Sequence, residues 1–273
     1  MVRAVVVGAG GRMGRRIVQT VLETSGIALV GAVEAEDHPA IGKDVGDFLG
    51  CGKQGVVVDS DINRGVDKSD VLIDFTTPQV ALRSLEIGVK RRLAVVIGTT
   101  GFSPGEMERG RALALKTRCV MAPNMSVGVN VMFKIVAEIA DVLGADYDVE
   151  IVEAHHRLKK DAPSGTAIRL GETIAGTLGQ DLQRVGVWGR KGLIGERTST
   201  EIGMSVVRAG DIVGDHTVIF GGVGERLEVT HRAHSRDNFA RGAVRAALWV
   251  VGQPEGFYDM QDVLGLRAKG NAR

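Results

Sequence analysis

"RAVVVGAGGRMG", residues 3–14, decides the architecture of the chain. Ala4 to Val7 run without a polar interruption, the pattern of a strand covered on both faces. Glycines stand at 8, 10, 11 and 14, and Ile17, Val18, Val21 and Leu22 then recur at helical spacing. A buried strand turning through glycines into a helix opens a βαβ unit that can hold a dinucleotide. In that reading Gly8 permits the sharp turn, Gly10 or Gly11 lets backbone approach a pyrophosphate, and Gly14 lets helix and strand pack closely. The helix start offers N–H groups and partial positive charge to phosphate, and Arg12 can add a charged contact.

Working outward, "IALVGAV" (27–33) reads as the second strand, and Glu34 ends it 20 residues after Gly14. An acidic residue there accepts hydrogen bonds from an adenosine ribose. "GDFLGCGKQG" (46–55) is not a mononucleotide loop, because its glycine spacing is wrong and Gln54 stands where Ser or Thr should hold magnesium. Further strands read at 70–75, 93–97 and 119–122, separated by helical patterns at 78–91 and 104–117. Pro78 and Pro104 suit a first helical turn, with Thr77 and Ser103 as N-caps. This alternation predicts a parallel sheet with helices on both faces. "FTTP" (75–78), "GTTGF" (98–102) and "APNMS" (122–126) follow its strands, on the edge that already carries the glycine loop.

From residue 127 the rhythm changes. A helix over "VGVNVMFKIVAEIADVLG" leads to a strand "YDVEIVEAHH" and a helix "TAIRLGETIAGTLG". "EIGMSVVRAG", "DHTVIFGG" and "ERLEVTHRA" follow as short, glycine-punctuated strands of antiparallel style. "FARGAVRAALWVVG" is a final helix, and the "AKGNAR" tail is expected to fray.

The 273 residues suit one large or two modest domains, and 44% apolar content supplies a core. A net charge of +1 argues against a nucleic-acid or membrane-surface partner, which would need a basic excess. No apolar run approaches the roughly 20 residues of a membrane helix, and no signal-length segment precedes the first strand. Two cysteines, Cys51 and Cys119, are too few for a disulfide framework or a cysteine zinc site. The expectation is a reduced, cytoplasmic protein.

Against that neutral background, "EAHHRLKKDAPSGTA" (153–167) concentrates titratable and cationic groups. His155 and His156 end a strand, Pro163 and Gly165 break regular structure, and Ser164 caps the helix starting near Thr166. Histidines, lysines and the N–H groups of Gly165 and Thr166 converge as a receptor for a multiply charged carboxylate. Adjacent strand histidines point to opposite faces, so no metal site is expected. Neither Ser164 nor Ser126 lies in a G-x-S-x-G elbow, which argues against a serine hydrolase.

"GAGGRMG", "IGTTGF", "SVGVNVM", "EAHHRLKKDAPSGTA", "RAGDIVGDHT" and "GAVRAALW" together closely resemble the 4-hydroxy-tetrahydrodipicolinate reductase (dihydrodipicolinate reductase) family, over essentially the whole chain. The resemblance implies an α/β fold: a Rossmann-like parallel-sheet nucleotide domain, and a second α+β domain whose mixed sheet builds a homotetramer. It sets boundaries at 1–126 and 127–235, with 236–273 returning to the nucleotide domain. It implies reduction of a cyclic unsaturated imine dicarboxylate with NADH or NADPH, on the route to diaminopimelate and lysine. Carried over, Gly8, Ala9, Gly10, Gly11, Arg12, Met13, Glu34, Gly98, Thr99, Thr100, Ala122, Pro123, Asn124 and Met125 line the cofactor. His156, Ser164, Gly165 and Thr166 hold the substrate, and His155 and Lys159 occupy the catalytic positions. Hydride delivery into a C=C–C=N system leaves an enamine-like anion that a lysine or histidine beside the ring can protonate. Several family members have an arginine where this chain has Ala35, so NADH is the expected preference over NADPH. Another two-domain nicotinamide reductase of an amino or keto acid is the competing enzyme reading. A dinucleotide-sensing regulator would bind cofactor without turnover and leave the histidine–lysine cluster without a purpose.

Overall fold

The computed structural model describes residues 1–267, so the "AKGNAR" end at 268–273 lies outside the described residues. Two compact units divide the chain: Met1–Val127 with the segment from Arg236 onward, and Gly128–Ser235.

The chain begins with β1 (Val2–Val7), α1 (Arg12–Glu23), β2 (Ile27–Val33), α2 (Val45–Leu49), β3 (Val58–Asp59) and α3 (Ile62–Val66). It continues through β4 (Val71–Asp74), α4 (Pro78–Arg91), β5 (Ala94–Ile97), α5 (Pro104–Ala114) and β6 (Arg118–Met121). Then come α6 (Val127–Leu143), β7 (Asp148–His155), α7 (Gly165–Thr177), α8 (Leu182–Val185), β8 (Gly186–Trp188) and β9 (Ile202–Arg208). β10 (Gly214–Gly221), β11 (Arg226–Ala233), α9 (Asp237–Val250), β12 (Gly256–Tyr258) and α10 (Met260–Val263) follow.

In the first unit seven strands lie in the order β12-β6-β5-β4-β1-β2-β3, every neighbouring pair parallel. The apolar run of β1 is explained by its two neighbours in depth. Ala4 and Val6 belong to the core that includes Ile17 and Val18 of α1 and Ala243 and Ala247 of α9. Val5 and Val7 join the opposite core, with Leu82 and Leu85 of α4. No face of β1 meets water, so no polar residue is needed at either parity. The strand order reverses between β1 and β4, the place where ligands gather outside the carboxyl ends of such sheets.

The predicted helix over 104–117 is shorter in the structure, ending at Ala114. Thr117 is already committed to the sheet, its hydroxyl donating to the Leu93 carbonyl at 2.7 Å. Ser103 caps α5 in a full capping box with Glu106, whereas the Thr77 side chain makes no cap bond at the start of α4. The strand β12, three residues long, carried too little pattern to be read and joins the sheet only by pairing with β6.

The second unit holds a five-stranded sheet, β11-β10-β7-β9-β8. β10 is antiparallel to both β11 and β7, as the glycine-punctuated pattern suggests. The expectation fails for β9, which runs parallel to β7, and β8 runs parallel to β9. The chain leaves β7 through the helix α7 before reaching β8 and β9, and a helical crossover returns the chain parallel. The sheet is therefore mixed. Its core gathers Ile151, Met204, Val218 and Phe220 against Val136 of α6 and Leu170 and Ile174 of α7.

Candidate active site

The glycine loop of the first unit is built by backbone requirements. Gly8 has φ +75°, a conformation that disfavours any side chain, and its N–H donates to the Val33 carbonyl at 2.8 Å. A Cβ on Gly14 would collide with the Gly8 carbonyl, so only glycine lets α1 start this close to the turn. Gly11 is the N-cap of α1, offers no side-chain cap, and no acidic residue occupies the first turn. Arg12 and Met13 are the first two helical residues, Arg12 exposed and Met13 packed on the core beneath. The helix N-terminus is thus left for an external anion.

Glu34 follows β2 directly, its Oε2 accepting the Gly10 N–H at 2.7 Å and its Oε1 the Ala35 N–H at 2.9 Å. The carboxylate therefore hangs over the glycine loop, where ribose hydroxyls would meet it. His38, which sequence reading passed over, also lies against Gly10, where a Cβ would strike its ring. Its Nδ1 accepts the Ala40 N–H at 3.2 Å, and its ring meets Phe48 edge-on at 5.8 Å. Arg15 stacks over that phenyl ring at 4.3 Å and donates to the Gly10 carbonyl at 2.9 Å.

The other predicted cofactor residues sit at the ends of β5 and β6. Gly98 donates its N–H to the Asp74 carbonyl at 2.9 Å, and Thr99 and Thr100 follow, the first buried and the second exposed. Ala122 bonds through its N–H to the Ile97 carbonyl at 3.1 Å, and Asn124 turns the chain by accepting the Ser126 N–H at 2.9 Å. Pro123 is exposed and Met125 is buried beneath α9. Asp74, at the end of β4, ties these loops together. It accepts from the Ser84 hydroxyl at 2.5 Å, from the Thr76 hydroxyl at 2.6 Å and N–H at 2.9 Å, and from Thr99 at 3.4 Å. Burial pushes its carboxyl above the ordinary aspartate range, against those same hydrogen bonds. An uncapped helix start, a glycine cradle without room for side chains and an acid at the end of β2 together fit a dinucleotide.

In the second unit β7 ends at His155, so its histidines divide as alternation requires. His155 turns inward, and its Nδ1 lies 2.5 Å from Glu153 Oε2, two residues back on the same face. Glu153 is fully buried, and a bidentate fork from Arg208 on β9 reaches it at 2.7 and 2.8 Å. The Ser164 N–H donates to it at 3.0 Å. Burial raises the Glu153 carboxyl, but the bonds from Arg208, His155 and Ser164 win and hold it below the usual glutamate range. Burial likewise lowers His155, with Glu153 pulling the other way and Lys159 and Arg208 adding to the fall.

His216 on β10, in register with Glu153, stands edge-on to His155 at 5.1 Å. Its Nε2 lies 3.0 Å from the Ser164 hydroxyl, and burial takes it down to about 3, so the ring is neutral. Ser164 is buried, and its hydroxyl also accepts the Ala167 N–H at 3.2 Å, which makes it the N-cap of α7 as the sequence predicts. Gly165 and Thr166 open that helix, and the space over Gly165 Cα is empty of protein. Lys159 pairs with Asp161 at 2.9 Å, and Arg208 donates to the Asp161 carbonyl at 2.7 Å. His156 is half-buried, and its Nδ1 has no hydrogen-bond partner among the described residues. Sequence reading missed Glu153, Arg208 and His216. The signal for Glu153 was present in its i, i+2 spacing from His155 on a strand, and the other two lie inside "RAGDIVGDHT".

A doubly wound parallel sheet with this glycine loop and Glu34 has the make-up of a Rossmann-like, dinucleotide-binding protein. The chain belongs to the dihydrodipicolinate reductase family. Residues 2–125 match the family described as "Dihydrodipicolinate reductase, N-terminus", and residues 128–264 match "Dihydrodipicolinate reductase, C-terminus". The 4-hydroxy-tetrahydrodipicolinate reductase of Syntrophus aciditrophicus (strain SB) is 59% identical over 268 residues, 98% of this chain and 100% of that protein. The protein of the same name from Geobacter sp. (strain M21) is 56% identical over 267 residues, again 98% of this chain and 100% of the relative. Among solved structures, the dipicolinate-bound dihydrodipicolinate reductase from Paenisporosarcina sp. TG-14 is similar with a TM-score of 0.73 and 25% identity, covering 96% of this chain and 98% of that one.

Proposed function

We infer that this chain carries out the reaction for which its relatives are named. It is an NAD(P)H-dependent reductase of a cyclic unsaturated imine dicarboxylate, giving tetrahydrodipicolinate for diaminopimelate and lysine synthesis. The observation that carries the reading is the family match across both units, with a buried Glu153–His155 pair next to Lys159 and the start of α7. Bound at the glycine loop, reduced nicotinamide supplies the hydride. The first N–H groups of α1 take the pyrophosphate, Glu34 takes the ribose hydroxyls, and Gly98 to Thr100 and Ala122 to Met125 border the nicotinamide end.

Gly165, Thr166 and His156 receive the substrate carboxylates, favoured by the α7 dipole and by the open space over Gly165. Ser164 shapes that receptor by capping α7, since its hydroxyl is engaged with His216 and Ala167. Lys159 and His155 supply and stabilise the proton that the reduced ring requires. Loss of the reduced-nicotinamide absorbance in an assay coupled to the synthase that makes the substrate tests the reading. Tight cofactor binding without turnover on that substrate sinks it.

NADH is the preferred cofactor in this proposal. Glu34, Glu36 and Asp37 surround the ribose position and Ala35 offers no cation, so the extra phosphate of NADPH meets negative charge. Arg12 and Lys43 limit the size of the effect, which we put at roughly tenfold in kcat/KM, about 1.4 kcal/mol. Ala35→Arg supplies a guanidinium and is expected to recover NADPH use. A wild type that works better with NADPH overturns this part. A reductase drawing on this cofactor works in the cytoplasm.

The assembly we propose is a homotetramer formed through the mixed sheet. Its core face is packed by α6 and α7, while Val152, Ile219 and Val207 interleave with Ser205, Thr217 and Thr230 on the other. Among the described residues no helix is long and apolar enough to cross a membrane. Sedimentation equilibrium reads the assembly directly, and a mass of one chain contradicts it.

A further inference from the structure

Glu153 is a carboxylate with no exposure and four bonds: two from the Arg208 fork, one from the Ser164 N–H and one to the His155 imidazole. An ionised carboxylate can only accept hydrogen bonds. The Arg208 fork and the Ser164 N–H hold it in that state, so the short contact to His155 requires the proton to sit on Nδ1 of the imidazole. The other ring nitrogen, Nε2, is then left with its lone pair. It points toward Gly214, the first residue of β10, where a Cβ would come within 2.9 Å of it. Glycine at that position keeps the nitrogen uncovered.

We propose that Glu153 is the positioning residue of this site: clamped by Arg208 and the Ser164 N–H, it locks His155 in the Nδ1–H tautomer and leaves Nε2, over Gly214, as the one ring atom that exchanges a proton. This rests on the reading that His155 works on the dicarboxylate. The groups facing the imidazole are Glu153 on its own strand, Arg208 from β9, His216 from β10 and Lys159 from the loop. His216 is neutral and the two cations oppose protonation, so Glu153 is the one neighbour that stabilises imidazolium. Burial still leaves His155 below the ordinary imidazole range, so the charge of Glu153 is what offsets part of that fall and favours a proton arriving at Nε2.

The test is Glu153→Gln. The amide keeps the shape, and its oxygen still accepts from Ser164 and one arm of Arg208. Its N–H replaces the oxygen shared by His155 and the other arm, so Nδ1 must then accept and the ring proton shifts to Nε2. The expected results are a switch of the His155 tautomer in nitrogen-15 NMR, a fall in kcat of about 100-fold or more, and an unchanged NADH dissociation constant by fluorescence. The pH profile of kcat is also expected to lose the limb that reports imidazolium. Should that variant fold poorly, Gly214→Ala leaves Glu153 intact and covers Nε2. It is expected to lower kcat by a similar factor with the Nδ1–H signal retained. His155→Gln separates the two levels of the argument. If it turns over at the wild-type rate, the role of His155 itself is wrong. If it is impaired while Glu153→Gln keeps wild-type kcat and its Nδ1–H signal, the positioning role of Glu153 is overturned and the reductase reading stands.

Discussion

Lys159 shows what one residue owes to its neighbours. Its ammonium sits 2.9 Å from Asp161, a carboxylate that burial alone would raise but that Lys159 and Arg208 hold below the ordinary aspartate range. The cation is therefore kept near the Glu153–His155 pair by a partner that is itself mostly exposed, an arrangement that substrate carboxylates can compete with. Replacing Lys159 with Met keeps the length and removes charge and proton. A fall in kcat of about 100-fold or more is expected, with NADH affinity almost unchanged. Near-normal turnover would remove Lys159 from the mechanism. At this scale the types of residue were readable from the stretch 153–167, and their partners were not. Arg208 and His216 come from β9 and β10, 55 and 52 positions away from the residues they bond.

At the scale of elements, α4 and α5 make a controlled comparison. Both start with a hydroxyl residue followed by proline, and the sequence assigns Thr77 and Ser103 the same task. In the structure only Ser103 performs it, with Glu106 closing the capping box and held below the usual glutamate range first by the Ser103 N–H. Ser103→Ala is expected to cost about 1 kcal/mol, seen as a thermal midpoint lower by about 2–4 °C. Thr77→Ala should stay within about 0.5 kcal/mol of wild type. Equal losses in thermal denaturation would show that the observed cap geometry does not govern these helices. The pairing of β9 belongs here too. Its alternation identified a strand, but the choice of a parallel partner was made by the crossover through α7.

For the whole molecule, buried histidine links folding to pH. His216 titrates near 3 in the folded protein because burial opposes its charge, whereas an unfolded histidine titrates near 6.5. Its folded value is lowered, so between about pH 6.5 and 3 the unfolded chain binds the extra proton, and stability falls as pH falls through that window. The slope from this one group is at most about 1.4 kcal/mol per pH unit. His216→Asn loses the ring's contacts with Ser164 and His155 but also this acid penalty. It should therefore be less stable than wild type at pH 7, with the gap shrinking as the solution is acidified below pH 6. A constant gap in denaturant midpoints between pH 7 and pH 4.5 would show that His216 does not carry this linkage.

What the chain determines locally is a matter of period and of glycine. The β1 run, the helical repeat after Gly14, the turn at Gly8 and the capped starts of α5 and α7 are short-range choices, each decided within a few residues of its own sequence. Glu34 was legible for the same reason, because a βαβ unit sets its distance from the loop. Tertiary structure decided the rest. The addition of β12 to β6, the parallel course of β9, the collar of hydroxyls around Asp74 and the clamp on Glu153 all join residues far apart in the chain. Such groups are chosen by burial: a carboxylate or imidazole withdrawn from water must find its partners wherever strand pairing delivers them, and no local pattern records that address.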